Sequence, residues 1–151
     1  MTGKADTVHL SFEARSKSRL LLRLDSGEQA ALVVERGRLL RGGDRVRTQD
    51  GREVTIIAAE ESVLEAYSDD PVAIARTAFH LGNRHVAVQV MANRLRFLND
   101  RVLEEMVKGL GLKVSALRAP FEPEGGAYGH HHAHGSQAPL IQPKIHEFPP
   151  R

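Results

Sequence analysis

Apolar positions recur in two different rhythms along this chain, and the rhythm changes near residue 68. Before that point, short apolar runs alternate with turn chemistry. Leu20–Leu24 precedes Asp25-Ser26-Gly27, Arg38–Leu40 precedes Arg41-Gly42-Gly43-Asp44, and Val46–Thr48 precedes Asp50-Gly51. Asp-Gly favours a tight hairpin because both residues tolerate positive φ. Ala30–Val34, Val54–Ala59 and Val63–Tyr67 complete a series of five or six short strands. Residues 1–68 therefore read as a small all-β domain, a sandwich or barrel.

The period then lengthens. Asp69-Asp70-Pro71 starts a helix, with an aspartate cap and proline at the first helical position. Val72, Ile74, Ala75, Ala78, Phe79 and Gly82 form its apolar stripe, and Gly82-Asn83 ends it. Val86, Val88 and Val90 alternate as a strand, Met91–Arg94 turns, and Leu95–Leu98 returns. Asn99 or Asp100 caps a second helix, whose apolar face is Val102, Leu103, Met106, Val107 and Leu110, and Gly109 and Gly111 stop it. Leu112–Leu117 is the last strand. With Val63–Tyr67 in front, the order is β-α-β-β-α-β, a ferredoxin-like domain over residues 69–120 whose first strand begins near residue 62. From residue 121 to 151 the chain is rich in Pro and Gly, and this composition predicts a mostly disordered tail. The fold class is α+β.

Composition narrows the chemistry. Cysteine is absent, which removes disulfides, thiolate metal sites and cysteine nucleophiles. Any metal must be held by histidine nitrogen and by oxygen. The formal charge is only +2, too small a surplus to point to nucleic acid. No apolar run approaches the ~18 residues of a spanning helix, and no apolar signal core follows Met1, so the expected location is cytoplasmic.

Four of the eight histidines fall within five residues: His130, His131, His132 and His134. Neutral imidazole is the commonest protein metal ligand, and a segment that concentrates it can hold a divalent metal without a preformed pocket. An expression tag fits poorly, because the run is broken by Ala133 and 17 residues follow His134. Such a run is unselective, since affinity rises from nickel to copper and copper exceeds zinc. A defined site also needs a rigid donor. His85, where a helix gives way to a strand, can be that donor or can be a surface or capping residue. His80 can simply flank a buried Phe79, and His9 stands alone. One rigid imidazole cannot complete a site. If the second domain pairs about a two-fold axis, two copies of His85 can meet there and the tails can add His130–His134 or His146. Ile145 and Phe148, beside His146, are apolar enough to dock.

Several blocks, in order, resemble one family. Leu81-Gly82-Asn83-Arg84-His85-Val86-Ala87-Val88-Gln89 resembles the L-G-N-R-H-x-x-x-Q signature of urease accessory proteins of the UreE type. Arg36–Asp44 is similar to that family's R-G-x-x-L-R-x-G-D block, and Asp100–Met106 to its D-x-V-L-D-D-M helix start. Pro120–Tyr128 precedes the histidines as in relatives. The resemblance implies a homodimeric metallochaperone, not an enzyme, that carries Ni(II) for assembly of the urease active site. It implies an N-terminal β domain, a ferredoxin-like metal-binding domain, His85 as the interfacial ligand and tail histidines as supplementary ligands. Zn(II) or Cu(II) would compete. Implied partners are the urease apoprotein and its accessory proteins, including the GTPase UreG, and a dimer of dimers around metal is compatible. The chain departs from relatives that carry histidine at the positions of Asn99 and Arg101.

Rival readings are weaker. A metal hydrolase lacks the H-E-x-x-H spacing. An RNA-binding split-βαβ module would suit the six arginines of residues 36–52, but Asp44 and Asp50 interrupt them and the strands lack stacking aromatics. These arginines suit a protein partner better. General storage or buffering of divalent metal is the closest alternative to delivery.

Overall fold

The computed structural model describes residues 5–48 and 51–125, and these form two compact units that divide between Ala59 and Glu60. The first unit holds strands β1 (Asp6–Leu10), β2 (Arg19–Arg23), β3 (Gln29–Val33), β4 (Arg45–Arg47) and β5 (Glu53–Ala58), with one short helix, α1 (Phe12–Arg15). β1, β5 and β4 form one sheet, while β2 and β3 form a separate hairpin. Val8, Leu10, Leu24, Leu32, Leu40, Val46, Val54 and Ile56 make its core.

Two features of this unit escape the sequence pattern. β1 pairs with β5 in parallel, Val8 opposite Ile56. A parallel pair has no connecting hairpin, so no turn signal announces it. Its only local mark is the alternation of Val8 and Leu10 with exposed His9. The predicted strand at Arg38–Leu40 does not form. Leu40 is fully buried as irregular chain, and Arg15 replaces a ladder by donating from Nη1 to the Leu40 carbonyl and from Nε to the Leu10 carbonyl. The Arg15 side chain is itself buried and also lies 6.0 Å from the Phe12 ring centroid. The β4–β5 hairpin forms with Gly51 at φ +86°, while Asp50 lies outside the described residues.

The second unit reads β6 (Glu60–Tyr67), α2 (Pro71–Asn83), β7 (Gln89–Met91), β8 (Arg94–Leu98), α3 (Arg101–Gly109) and β9 (Lys113–Pro120). The sheet order is β7-β8-β6-β9, all neighbours antiparallel. This is the ferredoxin-like arrangement that the element order demands. Asp70 caps α2 by accepting from the Val72 N–H, and Asp100 caps α3 by accepting from the Leu103 N–H. Leu64, Ala66, Leu95 and Phe97 from the strands pack against Leu81, Val107 and Leu112.

The opposite face of this sheet carries charge. Glu65 on β6 receives Arg94 Nη1 at 2.8 Å and Arg96 Nη2 at 3.0 Å, both from β8. Burial alone would raise the Glu65 carboxyl, but hydrogen bonds and charge from Arg96 and Arg94 outweigh it and hold the group below the ordinary carboxylate range. A carboxyl lowered on folding stabilises the fold above its unfolded value, and that contribution is lost as pH falls through the folded value. Glu65→Gln should therefore lower unfolding stability at pH 7 by about 1–3 kcal/mol. In urea titrations the gap between wild type and variant should close as pH drops below about 4. A gap that stays constant to pH 3 would exclude the triad as its source.

Candidate metal centre

The best-positioned imidazole is built by the way α2 stops. After Asn83 and the cap residue Arg84, the Val86 N–H donates to the Leu81 carbonyl at 3.1 Å and the His85 N–H donates to the Gly82 carbonyl at 3.0 Å. This is a Schellman stop, and it requires a left-handed backbone at the residue between. His85 takes that place, with φ +57°. Glycine is the usual occupant, because a Cβ in this region costs about 1 kcal/mol or more. The helix ends where Gly82-Asn83 was expected to end it, with Asn83 its last residue and Arg84 the cap. Val86 then packs inward against buried Leu81 and its neighbours. The imidazole of His85 is thus exposed, on a backbone locked by two hydrogen bonds and an apolar anchor.

The strand after His85 is shorter than the valine alternation predicts. Val86 and Val88 are irregular chain packed on the core, and β7 begins only at Gln89.

The other histidines separate clearly. His80 is half-buried and meets Phe79 edge-on at 5.4 Å, but Phe79 is not buried as expected: 62% of it is exposed. The inward face of α2 is instead Ala73, Ile74, Thr77, Ala78 and Leu81. Val72, Ala75, Phe79 and Gly82, spaced three and four apart, form a second, solvent-facing stripe that leads to His85. His9 is not alone, since its Nδ1 lies 2.9 Å from Asp25 Oδ2. That carboxylate is lowered chiefly by the hydrogen bond from Thr7, with His9 adding to it. His130, His131, His132, His134 and His146 lie outside the described residues. Among the described residues, no group of three or more His, Asp or Glu side chains is arranged to hold a metal ion. Asn99 and Arg101 have local partners, Ser62 and Glu105.

Three arginines of the arginine-rich stretch are held by carboxylates. Arg45 and Arg47 both meet Glu53, and Arg52 meets Glu28 at 2.7 and 2.9 Å. No described helix is long and apolar enough to cross a membrane.

The left-handed backbone at residue 85 separates stability from chemistry. His85→Gly should hold or raise unfolding stability by up to about 1 kcal/mol, because glycine relieves the Cβ conflict. His85→Val should lose about 1–2 kcal/mol, because a β-branched side chain tolerates that backbone least. Equal stabilities of the two variants in denaturant titrations would contradict the assigned conformation.

Residues 2–59 match the family model described as UreE urease accessory protein, N-terminal domain, and residues 61–147 match its C-terminal domain. Among curated proteins, the urease accessory protein UreE of Dechloromonas aromatica (strain RCB) is 48% identical, aligning over 97% of this chain and 93% of its own length. That of Pseudomonas putida (strain GB-1) is 51% identical over 81% of this chain and 74% of its own. That of Cupriavidus necator is 47% identical over 92% and 72%. Two domains matched in order, with near-full coverage at this identity, place the chain in the UreE urease accessory protein family, a family of accessory proteins rather than enzymes.

Proposed function

We propose that this protein is a nickel carrier that serves urease maturation, with the ion as cargo rather than as a resident cofactor. The observation that carries the reading is His85: a solvent-exposed imidazole set at a backbone position where glycine would be less strained. Strain retained at a surface residue points to function rather than packing. A carrier needs a donor that is fixed enough to define a site and open enough to release its ion. A helix terminus with an exposed side chain supplies both.

One imidazole is an incomplete site, and the surface beside it suggests how it is completed. The stripe of Val72, with 58% exposure, Ala75, Phe79 and Gly82 runs along α2 toward His85. A homodimer paired through this stripe would bury the exposed aromatic and bring two copies of His85 toward the two-fold axis. The tail histidines His130, His131, His132, His134 and His146 would then add exchangeable donors, and a partner's ligands could displace them one at a time. Zn(II) and Cu(II) compete at such a nitrogen site. The proposed recipients are the urease apoprotein and its accessory proteins, the GTPase UreG among them, in the cytoplasm.

Nickel titration of the wild type, His85→Ala and a chain cut after Tyr128 tests the site. His85→Ala should weaken the tightest site at least about tenfold, a loss of about 1.4 kcal/mol. An untouched tightest site would rule out His85 as its anchor. Phe79→Glu places a charge in the proposed interface. It should shift the protein to monomer at micromolar concentration in sedimentation, and weaken the same nickel site. A Phe79→Glu protein that remains fully dimeric would remove this stripe from the interface.

A further inference from the structure

The arginines of the first unit fall into two sets. Arg45, Arg47 and Arg52 are held by Glu53 and Glu28. Arg19, Arg23 and Arg36 are exposed and meet no carboxylate among the described residues. Their neighbour Lys17 has only Glu13, four residues earlier, at 3.8 Å.

These open cations border one element, the β2–β3 hairpin. Leu20, Leu22, Ala30 and Leu32 turn one of its faces to the core. Strand alternation therefore puts Arg19, Leu21 and Arg23 on the other face, opposite Val33, Ala31 and Gln29. Leu21 is 70% exposed, the most of any large apolar residue among those described. At one end of this face a cleft of about 700 Å³ is lined by Lys17, Ser18, Arg19, Val33, Val34 and Arg36. Its lining carries three positive charges and no negative one. Glu35, between Val34 and Arg36, is exposed and does not line it.

The backbone points to the kind of ligand. Among the described residues β2 and β3 pair only with each other, so each presents an outer edge of unpaired N–H and C=O groups. An extended polypeptide can satisfy such an edge. Nucleic acid offers no matching ladder, and this face has no aromatic ring on which bases could stack. Side chains two positions apart on a strand stand about 7 Å apart, so Arg19 and Arg23 are separated by about 13 Å. An extended segment with carboxylates four positions apart spans the same distance and sets the residue midway over Leu21.

We propose that the outer face of this hairpin docks an extended acidic segment of a partner protein, of the pattern acidic-x-apolar-x-acidic, with one charged end in the cleft between Lys17, Arg19 and Arg36. The exposed leucine supplies the apolar contact, and the arginines on either side fix the register. The surface uses no metal, so it is independent of the nickel reading.

A fluorescein-labelled peptide with the core Glu-Thr-Leu-Thr-Glu, titrated with the full chain and followed by anisotropy, tests this. Binding should be saturable and should weaken as salt rises. It should fall about tenfold when both glutamates are replaced by glutamine. Arg19→Gln and Arg36→Gln should each weaken it about threefold to fivefold, and Leu21→Ser about threefold. Arg45→Gln, on the other sheet of the unit, should change it less than about twofold. Each of these side chains is exposed, so the variants keep the packing of the unit. Absence of saturable binding, equal binding of the glutamine peptide, or a loss for Arg45→Gln as large as for Arg19→Gln would overturn the proposal. Two other occupants would overturn it too. A single-stranded uridine oligonucleotide bound more tightly than the peptide, and released by the same arginine variants, would make the face a nucleic-acid surface. Self-association in sedimentation that Leu21→Ser alone abolishes would make it an interface between copies of this chain.

Discussion

The hydrogen bond from the Val86 N–H to the Leu81 carbonyl governs most of what surrounds the candidate site. It closes α2, and it can close it only if residue 85 turns into the left-handed region. That turn sends the His85 side chain outward while Leu81 and Val86 stay in the core. One backbone contact thus sets the exposure of the imidazole.

The sheet of the second unit is finished differently on its two faces. Toward the helices it is apolar, with Leu64, Ala66, Leu95 and Phe97 filling the space. On the other face Glu65 sits between two guanidinium groups, and Arg96 reaches on to the Pro120 carbonyl. The charge-assisted contacts there are sheltered rather than fully solvated, which makes them stronger than surface ion pairs. Past β9 the chain is held as well, by the Glu122 N–H donating to Gln89 Oε1 and the Glu124 N–H donating to the Val88 carbonyl. The Arg15 side chain plays a comparable part in the first unit, where its donors satisfy carbonyls of β1 and of the irregular segment at Leu40.

Much of this was legible from residue order. Asp70-Pro71 and Asp100 start their helices where cap chemistry says they should, and the β-α-β-β-α-β order fixes a four-stranded sheet. Other points were not. The parallel partner of β1 lies more than forty residues away in sequence, so no local pattern marks it. Two apolar stripes overlap on α2, and periodicity alone cannot say which is buried. Phe79 was assigned to the wrong one because it is large and apolar, whereas Thr77 and the small Ala73 and Ala78 face the sheet. Phe121 and Pro123 were hidden by the proline and glycine around them, which read as tail.

By itself the sequence determined the local chemistry: caps, turns, helix and strand periods, the absence of thiols, and a histidine run that can only offer nitrogen donors. Those properties depend on residues a few positions apart, so order alone specifies them. Tertiary structure alone decided which side of α2 is solvent-facing, that residue 85 is left-handed, and that residues 120–124 cross from β9 to β7. Each of these depends on a partner supplied from elsewhere in the fold: a sheet face, a carbonyl one helical turn back, or a glutamine on the far edge strand. Such pairings are settled by burial and by hydrogen-bond satisfaction across the whole unit, not by any short stretch of chain.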